Sequence, residues 1–286
     1  MASVPAPAPP PERPELPVGV AGRPRWPAWL GMVGFAIGPG PLLLLAALAA
    51  LSRATAEAGA QEAEISATFV VVATLVQGGW FVGVALLLAS RIERPRAWHF
   101  GLRGAELGPA LGWAALGMVA FYMLTAVYGV AIQPDAEQGT VEALGGDQGI
   151  VGLIVAGVMV IAVAPVVEEV FFRGFLYGAL RSRLGIWAAA GINGALFGVI
   201  HFSFESVEAL LLVPPLALLG FLFCLVYERT GSLLPVIGMH AFNNTVAYAA
   251  QAEGGWQVSV VAGPLVLLAC VLAPRLLPRA PRPLPV

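Results

Sequence analysis

Adjacent acids, Glu168 and Glu169, sit in an apolar stretch with Arg173 four residues on, and two of the chain's three histidines, His201 and His240, fall in other apolar stretches. Ionisable groups at membrane depth are costly, so they point to a working site. The spacing of Glu169 and Arg173, acid first, lets the two neutralise each other along one helix face in a low dielectric. Glu168 then points about 100° away on the helical period and is free of that partner. A desolvated carboxylate without a full counter-charge is suited to take a proton from water. His240 and Asn244 are also four apart, so both side chains face the same way and can donate to one developing oxyanion. Pro165, one turn before the acids, removes a backbone hydrogen bond and predicts a kink.

The elements that must carry these residues are set by composition. Apolar residues make up 58% of the 286 and charged residues 11%, and the mean hydropathy is +0.83. That balance excludes an ordinary soluble domain and predicts an all-α, polytopic transmembrane helix bundle. The net charge is −2 and every basic residue is an arginine, so positive charge should report topology rather than a nucleic-acid partner. Cys224 and Cys270 lie in apolar segments and behave as small hydrophobes; no disulfide framework is implied.

Residues 1–25 are rich in Pro and Ala without an apolar run and read as a flexible cytoplasmic tail. The transmembrane domain occupies 26–277, and 278–286 is a short Arg- and Pro-rich tail. The Ala-rich end of the first apolar segment, before Ser52, imitates a signal-peptidase site. The segment is longer than a signal h-region of roughly 7 to 15 residues, which argues against cleavage. Apolar stretches near 26–51, 65–89, 107–132, 150–180, 185–204, 209–227, 232–250 and 257–274 predict about eight helices, each judged against the ~20 residues a span needs. Arginine content alternates between successive loops, which puts both termini in the cytoplasm, with Arg53 the one contrary charge. Trp26, Trp98, Trp187 and Trp256 fall near the predicted interfaces.

Depth ties the polar residues together. With Arg181 as the boundary of the fourth helix, a rise of ~1.5 Å per residue puts Glu168 roughly 20 Å deep. The same ruler puts His240 and Asn244 about 16 to 22 Å beyond Arg229, and His201 about 24 Å beyond Gly185 if that helix is unbroken.

Three motifs on separate helices carry a family resemblance. Glu168-Glu169-Val170-Phe171-Phe172-Arg173 matches EExxxR, Phe197-Gly198-Val199-Ile200-His201 matches FxxxH, and His240-Ala241-Phe242-Asn243-Asn244 matches HxxxN. In these the chain resembles the CPBP (ABI) intramembrane protease family, which includes the CAAX prenyl endopeptidases of the Ras-converting type, over roughly residues 150–250. The resemblance implies a glutamate-dependent endopeptidase of a bacterial cell membrane, with a cavity facing the cytoplasm. Glu168 and His201 would activate a water, His240 and Asn244 would hold the oxyanion, Glu169 and Arg173 would support them, and no cofactor or metal is called for. The implied partners are the lipid bilayer and a peptide or lipidated protein substrate. A prenylated CAAX protein, a lipoprotein and a membrane anchor segment are equally open, and the sequence carries no signature of a particular oligomer.

Each element also has a plainer reading. Glu169 and Arg173 alone make a structural clamp, His201 alone is an interfacial histidine, and His240 with Asn244 alone is interhelical bonding. Gly191, Gly194 and Gly198 read as close-packing positions. Tyr177, Tyr227, Glu228 and Asn193 suit either a cavity wall or packing, and His99 reads as a solvated loop residue. Two other functions fit the same residues. Glu168, His201 and His240 could be the three protein ligands of a catalytic zinc, although no HExxH is present. A non-catalytic scaffold or immunity protein could keep the polar cluster for folding.

Overall fold

The structure, a computed structural model, describes residues 26–41, 43–44, 47–48, 51, 66–133, 139–202 and 207–277. The two expected tails, and Arg53 with its neighbouring acids, lie outside the described residues. Among the described residues the fold is all-helical, without a strand. Besides a single turn at Thr140–Ala143, the longer helices are α1 (Ala28–Ile37), α2 (Ala67–Ser90), α3 (Leu107–Ile132), α4 (Gly149–Leu180), α5 (Ile186–Ile200), α6 (Val213–Thr230), α7 (Leu233–Gln251) and α8 (Gly255–Leu272). Each falls in one of the eight expected apolar stretches. Among the described residues, five are long and apolar enough to cross a membrane: α2, α3, α4, α6 with its lead-in turn Glu208–Leu212, and α8 with the turn that follows it. The chain is thus a polytopic membrane bundle, but not every stretch is a full span.

Two shortfalls concern the site. Helix α7 has 19 residues but carries His240, Asn243, Asn244 and Thr245 among its apolar ones. Helix α5 stops after 15 residues instead of running to 204, and His201 is its C-cap. The histidine ends the helix itself: its Nδ1 bonds the Phe197 carbonyl at 2.7 Å, the oxygen that the next α-helical N–H would have used.

Helix α4 runs through the middle of the bundle, in contact with α1, α2, α5, α6, α7 and α8. Phe171, Phe172, Phe175, Leu176 and Tyr177 are fully buried around its circumference, as expected of a helix apolar on all sides. It is not a uniform helix. Met159–Val163 and Val170–Tyr177 are wound in wide π-type turns. In the first, the Ala164 N–H reaches back five residues to the Met159 carbonyl. The next donor in that pattern is Pro165, which has no N–H, so the Val160 carbonyl must find its partner elsewhere. The irregularity expected at Pro165 takes this form.

The outer surface is aliphatic, and Trp187 and Trp256 are exposed on it, as interfacial tryptophans would be. Trp26 is not: it is buried between Phe100 and Phe175. His99 is not solvated either; its Nδ1 accepts the Arg96 N–H at 3.2 Å and its ring lies edge-on to Trp98. The loop it belongs to docks on the α6–α7 turn. Gly101, at φ +79°, leaves no room for a Cβ against the Tyr227 ring, and its carbonyl accepts the Leu233 N–H at 2.8 Å. Arg103 packs beside it and donates to the Gly231 carbonyl, and burial holds its guanidinium below the ordinary arginine value.

Helices α5 and α6 approach at Gly194 and Gly198. A Cβ on Gly194 would meet the Ala217 carbonyl oxygen at 2.6 Å, and one on Gly198 the Val213 carbonyl oxygen at 2.7 Å. Gly191, expected to be a third such position, faces open space. Gly194→Ala should therefore cost about 1–3 kcal/mol through forced separation of the helices. Gly191→Ala should be neutral or stabilising by up to ~1 kcal/mol through helix propensity. Thermal unfolding of the two purified variants in detergent checks the opposite signs.

Candidate active site

The regular stretch of α4 between its two wide turns, Ala164–Glu169, presents Glu168 and Glu169 toward α5 and α7. Glu169 and Arg173 are fully buried, and Arg173 NH1 donates to Glu169 Oε1 at 2.8 Å. The same oxygen faces His240 Nδ1 at 2.8 Å. One carboxylate oxygen thus joins an arginine on its own helix to a histidine on α7. The rest of the guanidinium is enclosed. NH2 donates to the Gly220 carbonyl at 3.1 Å, and the group lies over the rings of Phe197 and Phe223, at 4.4 and 5.0 Å from their centroids. The fit at Gly220 is tight: a Cβ would come within 3.0 Å of Gly194 Cα and Phe197 Cβ and 3.1 Å of Arg173 NH2.

Two histidines present the same atom to Glu168. Carbonyl and carboxylate oxygens only accept, so the Phe197 carbonyl fixes a hydrogen on His201 Nδ1 and Glu169 fixes one on His240 Nδ1. The Nε2 atoms are left toward the site, 3.7 Å (His201) and 3.9 Å (His240) from Glu168 Oε2. Those separations exceed direct hydrogen bonds and suit a small polar group held between. Glu168 is partly accessible, at 17% side-chain exposure, whereas Glu169 behind it is sealed. Among the described residues, no group of three or more His, Cys, Asp or Glu side chains is arranged to hold a metal ion.

Asn244, four residues beyond His240, turns to the same helix, α4: its amide Nδ2 donates to the Val160 carbonyl at 2.9 Å, the oxygen that Pro165 cannot serve. Only its second N–H remains for a substrate. The structure therefore brings Glu168, Glu169, Arg173, His201 and His240 together directly, while Asn244 reaches them through α4.

Phe197, the first residue of the FxxxH motif, holds the site residues in place. Its carbonyl orients His201, its ring packs on that imidazole at 4.6 Å between centroids, and it also meets Phe172, Arg173 and His240. Its place at the head of FxxxH was the available signal. Asn193 proves to be packing: fully buried, it donates to the Phe172 carbonyl in the second wide turn at 2.8 Å and accepts from the Cys224 thiol. Tyr177 and Arg181 both donate to Glu228, at 2.9 Å each, and tie the end of α4 to α6.

Beside the site, a groove of about 900 Å³ runs between α3 and α8 with α7 as its floor. Its walls are almost wholly apolar and include Leu111, Met118, Tyr122, Met239, Phe242 and Leu267. None of the four candidate catalytic residues lines it, but Met239 and Phe242 are chain neighbours of His240 and Asn243.

All six site residues lie within one segment that is recognisable by comparison. Residues 150–246 match the family model described as type II CAAX prenyl endopeptidase Rce1-like. The resemblance read from the three motifs is borne out over that segment. The chain is also similar to the Bacillus subtilis (strain 168) protein named "Putative membrane peptidase YdiL", with 32% identity over 91 residues, 32% of this chain and 35% of that protein. To the Escherichia coli "Uncharacterized 24.3 kDa protein" it is 28% identical over 130 residues, 45% of this chain and 58% of that protein. The chain thus spans about a third and somewhat over half of these two relatives. No solved structure matches.

The buried node predicts a stability result. Arg173→Ala leaves the Glu169 charge without its cation and should cost about 3–5 kcal/mol. Arg173→Lys, which keeps the charge but cannot fork between Glu169 and the Gly220 carbonyl, should fall between it and wild type. Unfolding in detergent checks the order; equal stability of Arg173→Ala and wild type would refute the clamp.

Proposed function

We propose that the protein is a membrane endopeptidase that hydrolyses a peptide bond of a membrane-associated substrate by means of a glutamate-activated water. The observation that carries the reading is the convergence of the two Nε2 atoms on Glu168 Oε2, at 3.7 and 3.9 Å, in front of a sealed Glu169–Arg173 pair. The family match, and the name of the Bacillus relative, support a peptidase.

In this mechanism Glu168 takes a proton from a water that it shares with His201, and the water oxygen bonds to the scissile carbonyl carbon. The carbonyl oxygen becomes an oxyanion, stabilised by N–H groups of His240 Nε2 and Asn244 Nδ2. Donation from Nε2 requires the doubly protonated ring, whose charge Glu169 meets at Nδ1. As the tetrahedral carbon collapses, the C–N bond breaks and the proton gained by Glu168 passes to the leaving nitrogen. The carboxylate is restored and one water has been consumed.

Arginine alternation in the loops supports cytoplasmic termini, and the family resemblance implies that the site opens on the same side. The groove favours a substrate with an apolar or lipidated portion held beside the bilayer, with a prenylated CAAX-type protein one such case.

The test is cleavage of membrane-anchored and lipidated reporter peptides by the purified protein in vesicles. Glu168→Gln should lose about 10²- to 10⁴-fold in rate while melting like wild type. Asn244→Ala should lose up to roughly 10²- to 10³-fold. It should also be less stable by ~1–3 kcal/mol, because the Val160 carbonyl loses its donor. A chelator should leave activity unchanged. Activity abolished by chelator and restored by Zn²⁺ would favour a zinc peptidase instead, and biological function retained by Glu168→Ala would favour a scaffold.

A further inference from the structure

We propose that Tyr122 and Asn243 are positioning residues that couple the apolar groove to Asn244, so that an apolar group seated in the groove raises the rate of the chemical step. The inference rests on the reading of Asn244 as an oxyanion donor and extends it to the part of the substrate that the site must sense.

Tyr122 belongs to both places. Its ring forms part of the groove wall, and its hydroxyl donates to Asn243 Oδ1 at 3.4 Å. Asn243 Nδ2 in turn lies 3.5 Å from Asn244 Oδ1, and Asn244 Nδ2 donates to the Val160 carbonyl at 2.9 Å. The chain of contacts therefore runs from α3, across α7, to the wide turn of α4.

Polarity is what this chain transmits. A carboxamide presents oxygen on one side and N–H on the other, and the side that faces a reacting carbonyl depends on what its neighbours accept and donate. The Val160 carbonyl accepts only, and Asn243 offers an N–H to the Asn244 oxygen. Together they hold the Asn244 oxygen away from an incoming oxyanion and leave its second N–H available. The contacts at 3.4 and 3.5 Å are long and individually weak. A body pressing on the Tyr122 ring shortens or lengthens the first and, through Asn243, the second. Binding of a remote apolar group is thereby used in the transition state, the condition for it to raise kcat rather than only lower KM. Phe242 supports the arrangement, since its ring meets the Tyr122 ring edge-on at 6.5 Å and lines the same groove.

The experiment measures kcat and KM in vesicles for one reporter peptide carrying either a short or a long alkyl chain. The proteins are wild type, Tyr122→Phe, Asn243→Ala, Asn244→Ala and the two double variants with Asn244→Ala. Tyr122→Phe keeps the ring and its packing, and thermal unfolding verifies that each variant is folded. In wild type the long chain should raise kcat as well as lower KM. Tyr122→Phe and Asn243→Ala should each lose roughly three- to tenfold in kcat on the long-chain substrate, the scale of one hydrogen bond, with little change in KM. Neither should lose more when Asn244 is already Ala. Equal losses in the presence and absence of Asn244, or a kcat in wild type indifferent to chain length, would overturn the coupling. Failure of the underlying site reading shows separately, as cleavage retained by Glu168→Gln or a kcat unchanged in Asn244→Ala alone.

Discussion

A single carboxylate oxygen holds two things that cannot be left alone in a low dielectric. Glu169 Oε1 meets Arg173 at 2.8 Å and His240 at 2.8 Å, with the acid and the arginine wholly sealed from solvent. Removing any one member strands a charge or frees an imidazole, and the penalty for an uncompensated buried charge is several kcal/mol. The surroundings follow from this node. Phe197 and Phe223 close over the guanidinium, Gly220 gives way to it, and Gly194 lets α5 and α6 come near enough to enclose it. The site in front stands on this support: because Glu169 fixes the hydrogen of His240 at Nδ1, the other nitrogen is turned to Glu168.

The second constraint is the irregular winding of α4. In the first wide turn Pro165 leaves the Val160 carbonyl without a helical donor, and a buried carbonyl without a donor is expensive. Asn244 supplies that donor, and Asn193 from α5 donates to the Phe172 carbonyl in the second wide turn. The same amide that is proposed to serve the reaction also repairs the helix. Such double use places one side chain under both structural and chemical demands, and it registers α7 against α4.

Much of this was legible in the residues themselves. The apolar stretches located the helices, because a bilayer leaves the backbone little alternative, and the four-residue spacing of Glu169 and Arg173 survived as a real contact even though the helix there is wider than the spacing assumed. What escaped the sequence reading has a common cause. The Glu169–His240 bond, the Val160–Asn244 bond and the role of the Phe197 carbonyl all join residues through three dimensions or through backbone atoms, which residue types do not advertise. Pro165 announced an irregularity but not which carbonyl it would orphan. The end of α5 was misplaced for a related reason: Phe202 continues the apolar run, and nothing in composition says that His201 will cap its own helix.

Helix α7 has a consequence for how the molecule is made. It carries His240, Asn243, Asn244 and Thr245 in 19 residues, and it is not among the helices apolar enough to span unaided. Polar groups at mid-depth oppose partition into lipid. Each of these side chains nonetheless finds its partner within the bundle, and α7 packs closely on α8 across the short turn 252–254. The helix that carries half of the proposed chemistry therefore depends on its neighbours for a place in the bundle: Glu169 and the Val160 carbonyl of α4 take its polar groups, and α8 covers it as the other arm of a hairpin. The contacts that build the site are the same contacts that make this helix tolerable at that depth.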